Sequence, residues 1–137
     1  MNTVVTILVT ILIFGLLIFI HELGHYIAAR IFHVGIKEFA IGMGPAIFSR
    51  EYHGTWYSIR IFPIGGFCAM GEDDEATDSP GNFNNKSVWA RMSVIAAGPV
   101  FNFIMALIFS VILVAWIGYD APVVQGVDAG YSAMEQG

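Results

Sequence analysis

The 137 residues are 56% hydrophobic and 12% charged, with a mean hydropathy of +0.69 and a net charge of −5. A soluble domain carries roughly twice that charged fraction, so the balance points to a membrane protein. Six Lys and Arg without a dense patch argue against a nucleic-acid partner, and a single cysteine, Cys68, excludes a disulfide framework within the chain.

The first feature in chain order is an uncharged apolar run, Val4–Ile20. A membrane span needs about 20 residues at about 1.5 Å rise each. The run therefore spans only if its helix continues through His21–Ala29, and a helix is expected over about Thr3–Ile31. A cleaved signal peptide would need a basic start and a small-residue cleavage site. Residues 1–29 contain no Lys or Arg, and the run ends in His21-Glu22-Leu23-Gly24-His25.

That ending carries chemistry. Residues i and i+4 share a helix face, so the His21 and His25 imidazoles can reach one metal ion. Zinc (Zn2+) suits neutral imidazole ligands. Glu22 stands where a general base for a metal-activated water would be needed. Ionisable groups are costly inside a spanning helix, which favours a functional reading over a polar filler. Gly24 is small enough to let another helix approach.

Gly35–Gly71 is apolar but broken by glycine and proline. Lys37–Ile41, Ala46–Tyr52, Thr55–Phe62 and Gly66–Met70 are expected as short strands. Gly42-Met43-Gly44-Pro45, His53-Gly54 and Pro63-Ile64-Gly65-Gly66 supply turn chemistry. The pattern fits a small antiparallel sheet dipping into the cytoplasmic side of the membrane, with its backbone satisfied by protein or water. A soluble hairpin domain resting on the membrane fits it equally. Cys68 is expected to act as a small apolar residue, and His33 and His53 to be surface residues.

Glu72–Asn85 is a polar loop with the acidic run Glu72-Asp73-Asp74-Glu75, read as a solvated face. Lys86–Met92 leads into a second uncharged run, Val94–Ile117, with Trp89 suited to the interface. Inside that run, Pro99 is expected to kink or open the helix. Asn102 is a buried amide in need of a partner. It either bonds another helix or stands beside the metal site, steadying the first span or a bound substrate. Asp120–Gly137 is a short polar tail.

All six basic residues, Arg30, Lys37, Arg50, Arg60, Lys86 and Arg91, lie between the two runs. By the positive-inside rule residues 30–91 face the cytoplasm and both ends of the chain face away from it. The expected divisions are a first transmembrane helix (1–31), a membrane-associated β-region (35–71), an acidic loop and lead-in (72–91), a second transmembrane helix (92–119) and an extracytoplasmic tail (120–137). The fold class is thus a mainly α-helical membrane protein with two spans flanking a re-entrant β-region.

Four segments carry a resemblance. They are Phe19-Ile20-His21-Glu22-Leu23-Gly24-His25, Glu38-Phe39-Ala40-Ile41-Gly42-Met43-Gly44-Pro45, Ile59-Arg60-Ile61-Phe62-Pro63-Ile64-Gly65-Gly66-Phe67 and Ala96-Ala97-Gly98-Pro99-Val100-Phe101-Asn102-Phe103. Together they resemble the site-2 protease family of intramembrane zinc metalloproteases, most closely its bacterial branch acting on anti-sigma factors. The resemblance implies zinc held by His21 and His25, Glu22 as base, and cleavage of transmembrane segments near the cytoplasmic face. Its implied substrates are membrane proteins such as single-pass anti-sigma factors and signal-peptide remnants, within the lipid bilayer. Lys37–Met70 is similar to the family's re-entrant β-loop, which presents substrate as an added strand; Gly42, Gly44, Gly65, Gly66 and Asn102 are the candidates for holding substrate or supporting the site. The tail from Ala121, with Val124, Val127, Ala133 and Gly137, looks like the start of a PDZ domain.

The family's third zinc ligand, an Asp in a Leu-Asp-Gly motif, has no counterpart here. Asp120 and Asp128 fall in the outside tail. The chain is therefore expected to be an N-terminal part with an incomplete zinc site, weakly active or inactive alone. Two rival functions stay open on the same residues: a metal transporter using the His pair as a transit site, and a catalytically silent membrane scaffold.

Overall fold

The computed structural model describes residues 2–71 and 81–118. The acidic run at 72–75 and the tail at 120–137, with its PDZ resemblance, lie outside the described residues. The chain divides into two compact units, Met1–Leu107 and Ile108–Gly137. The first holds helix α1 (Thr3–Ile31), strands β1 (Ile36–Tyr52) and β2 (Thr55–Met70), a 3-10 turn at Phe83–Asn85 and helix α2 (Val88–Ile117) as far as Leu107. In the second, the described residues are the end of α2 and Gly118, and the apolar side chains Val111, Leu113, Trp116 and Ile117 are exposed.

Helix α1 starts where Asn2 caps it, its side-chain oxygen accepting from Val4 N at 3.3 Å. It runs unbroken through the His-Glu pair to Arg30, a cation in the last turn that suits the helix dipole. Both helices are long and apolar enough to cross a membrane, and they flank the sheet in sequence. Most large apolar side chains along Val4–Leu17 are exposed, as surface meeting lipid would be. The helix assignment continues across Pro99, which lies inside α2.

The sheet differs from the four short strands expected: they are joined in pairs as two long, bent strands that pair antiparallel. Gly42 and Gly44 bend β1 and Gly65 bends β2, at φ of 87°, 84° and 90°, a region only glycine enters without strain. The backbone thus turns without leaving the ladder, and Met43 still pairs with Phe62 inside the bends. Within the sheet, only His53-Gly54 makes a true turn. Both residues have positive φ, 50° and 74°, as a two-residue hairpin between Tyr52 and Thr55 requires. The bending gives residues 38–41 partners on both sides. One series descends from Ala69 to Gly66; the other ascends from Trp56 to Ile59, the register of a locally parallel flank.

The buried core is small and sits where α1 ends. Ala28, Ala29, Val34, Ile36, Phe83 and Val94 pack together, with Tyr26, Cys68, Met70 and Ala97 against them. The sheet lies along α1 over several turns. Phe39 meets the rings of Phe19 and Tyr26, and a side chain at Gly15 would stand 3.1 Å from the Pro63 carbonyl. Arg30 donates to the Tyr57 and Thr55 hydroxyls, and the Tyr26 and Tyr57 hydroxyls lie 2.7 Å apart, fastening the helix end to β2. Helix and strand edge are therefore held side by side at the level of the histidines.

Candidate metal centre

His21 and His25 share a face of α1, with ring centroids 4.8 Å apart and planes at 82°. That face meets α2 at very close range. A side chain at Gly24 would come within 2.5 Å of the Ala97 carbonyl oxygen, so only glycine permits this approach. Across the crossing, a Cβ at Gly98 would lie 2.5 Å from His25 Nε2 and 2.7 Å from His21 Nε2. Both Nε2 atoms therefore gather over the bare backbone of Gly98.

The far side of each ring is held by α2. His25 Nδ1 lies 2.7 Å from the Val94 carbonyl oxygen. A carbonyl only accepts, so the proton is on Nδ1 and the Nε2 lone pair is free for a metal. His21 Nδ1 lies 3.3 Å from the Asn102 amide. Val94, Gly98 and Asn102 are spaced by four residues and form one stripe of α2. This arrangement fits a zinc ion on two imidazoles. Among the described residues, no group of three or more His, Cys, Asp or Glu side chains gathers as a full ligand set.

Glu22 turns toward the sheet, and its Oε2 accepts from the Cys68 backbone N–H at 3.0 Å. That bond also orients the strand. Cys68 faces Phe39 in the ladder yet sends its N–H the other way, so the outer edge of Gly66–Met70 is turned toward α1. Gly66 belongs to the same contact: a Cβ there would lie 2.7 Å from the Ala40 carbonyl oxygen and 3.7 Å from Glu22 Cγ. The Cys68 thiol is pushed up to about 12 by burial and then by the Glu22 charge, so it stays protonated and unreactive. A cavity of about 390 Å³, lined by Phe14, Leu17, Ile18, His21, Glu22 and Asn102, opens beside these groups.

The structure thus brings His21, His25, Glu22, Gly66 and Asn102 together. Gly42, Gly44 and Gly65 sit in the strand bends, where their nearest neighbours are Phe62, Ile61 and Met43 of the sheet. His33 and His53 are exposed and in left-handed backbone, away from the pair. The sequence reading missed Val94 and Gly98. Val94 acts through its main chain and leaves no side-chain signal. Gly98 was legible: it precedes Pro99 and stands four residues before Asn102, on the same helical face.

The family model for peptidase family M50 matches residues 9–136. A protein of Clostridium acetobutylicum named "Putative zinc metalloprotease" is 43% identical over 131 residues, covering 96% of this chain and 39% of the relative. Relatives of the same description in Clostridium perfringens and Thermotoga maritima are each 40% identical, over 96% and 93% of this chain and 39% and 26% of their own lengths. The chain spans two-fifths or less of the length of these relatives.

Proposed function

The chain belongs to peptidase family M50, the site-2 protease family, and on that premise we propose that the full-length protein is an intramembrane zinc endopeptidase that hydrolyses peptide bonds in transmembrane segments of membrane proteins. The observation that carries this reading is the convergence of two imidazole Nε2 atoms over Gly98, beside the carboxylate of Glu22. His21 and His25 would hold the ion. Bound there, zinc supplies Lewis-acid polarisation of the scissile carbonyl and lowers the pKa of water toward neutrality.

The rest of the chemistry falls to the chain. Glu22 takes the proton of the attacking water and passes it to the leaving amine. Its bond to Cys68 N holds the carboxylate between helix and strand edge, where a peptide laid along Gly66–Met70 would present its backbone. Hydrolysis needs an extended chain, so a substrate helix unwinds first, and weak helix formers near the cut favour this. The bends at Gly42, Gly44 and Gly65 keep that edge in place. The third ligand, in this reading, is an Asp outside the chain.

The sheet is read as re-entrant. Its support is the Pro63 bend meeting α1 at Gly15, six residues or about 9 Å further along the span than His21. Residues 30–91 face the cytoplasm by their basic residues, so cutting falls near the cytoplasmic face. Single-pass anti-sigma factors are the substrate class that the resemblance suggests.

The test is Glu22→Gln in the full-length protein. Cleavage of a single-pass membrane substrate should fall by at least about 10²-fold, as for loss of a general base, while stoichiometric zinc is retained. Undiminished cleavage would overturn the assignment of Glu22, and a full-length protein that binds no zinc would overturn the protease reading.

A further inference from the structure

The Asn102 amide poses a chemical problem. Its Nδ2 faces His21 Nδ1 at 3.3 Å, while its Oδ1 is buried without a partner. An amide N–H directed at Nδ1 needs a lone pair there, which forces the proton onto Nε2. A His21 in that tautomer cannot ligate through Nε2, although Nε2 is the atom gathered over Gly98 with that of His25. Carboxamide oxygen and nitrogen are assigned from hydrogen-bond networks, and the two orientations have the same shape.

Turning the amide by 180° removes both difficulties. Oδ1 then accepts from His21 Nδ1–H, and the lone pair returns to Nε2. Nδ2 takes the unpartnered corner of a residue that lines the cavity shared with His21 and Glu22. The Val94 carbonyl already serves His25 in this way. Both imidazoles would then be fixed in the metal-binding tautomer by acceptors on one stripe of α2, eight residues apart.

We propose that Asn102 is a positioning residue for His21: its carboxamide oxygen accepts from Nδ1–H and holds Nε2 as the metal-binding nitrogen. This rests on the metalloprotease reading and assigns it a requirement for a hydrogen-bond acceptor at position 102. Size alone is not enough. Asn102→Leu keeps the branched shape and the number of side-chain heavy atoms but removes the acceptor, whereas Asn102→Asp keeps an oxygen facing His21.

The experiment uses purified full-length protein. Zinc affinity is measured by chelator competition, and the Co2+-substituted protein by its visible d–d absorption. Loss of an outer-shell acceptor costs about 10- to 100-fold in metal affinity. Asn102→Leu should lose affinity in that range and shift the cobalt bands, while Asn102→Asp stays within about threefold of the unsubstituted protein. Two outcomes overturn the inference: unchanged affinity and spectrum in Asn102→Leu, or equal losses in both variants, which would mark a packing role. If the unsubstituted protein binds no zinc at all, the protease reading fails with it; if it binds zinc and both variants match it, only the positioning role fails.

Discussion

Single atoms decide whether this site exists. Gly98 shows it best, because both histidines occupy the space its missing side chain leaves. In Gly98→Ala the added methyl meets two ring nitrogens fastened from behind, His25 by the Val94 carbonyl and His21 by the Asn102 amide. The rings must leave their places over Gly98 or the helices must part. Overpacking of this kind costs about 1–3 kcal/mol, which in affinity is about 5- to 150-fold. Zinc binding in full-length Gly98→Ala should weaken by that factor. Gly54→Ala is the control: nothing lies within 4 Å of its added Cβ, so its strain at φ 74° affects the hairpin but not the metal. Equal zinc affinity in wild type and Gly98→Ala would contradict the convergence argument. The His-Glu-x-x-His spacing was legible in the sequence because helical period and ligand chemistry coincide there. The partners on α2 were less so, since a backbone carbonyl and an absent side chain carry no residue-type signature.

The β-region was legible as strand but not as topology. Composition marks where the chain is extended, and positive-φ positions mark where it bends. Only the register shows that Glu38–Ile41 lies between two stretches of β2. One side-chain group holds that double pairing. Arg60 donates from Nη2 to Glu38 Oε1 at 2.8 Å and from Nη1 to the Gly44 carbonyl at 2.7 Å, and Ser58 donates to the same Glu38 oxygen. Burial raises the Glu38 pKa, but the bonds from Ser58 and Arg60 and the Arg60 charge together leave it below the ordinary carboxylate value. The sign follows: a depressed folded pKa adds stability above the unfolded value and loses it as pH falls through the folded one. Full-length protein should therefore lose thermal stability on acidification below about pH 4.5, and Glu38→Gln should remove that part of the pH dependence. At neutral pH Glu38→Gln should cost about 1–3 kcal/mol, since it weakens a half-buried charged hydrogen bond. An acid profile unchanged by the substitution would show that the pair does not hold the bend.

At the scale of the whole chain, the sequence carried two long apolar helices with a sheet between them, and the structure bears out that order. Orientation rests on charge alone: the six basic residues lie between the spans, where cytoplasmic loops concentrate them. Accessibility can decide it. In a Cys68→Ala background, single cysteines replace Asn2, just before α1, and His53, in the exposed hairpin turn between the strands. A membrane-impermeant maleimide applied to intact cells should label Asn2→Cys and should reach His53→Cys only after permeabilisation. The opposite pattern would invert the orientation. The His-Glu pair lies near the sheet end of α1, beside Cys68, so inversion would carry the proposed cutting site to the other face of the membrane. The substrates would then have to be sought among proteins with helices weakened on that side.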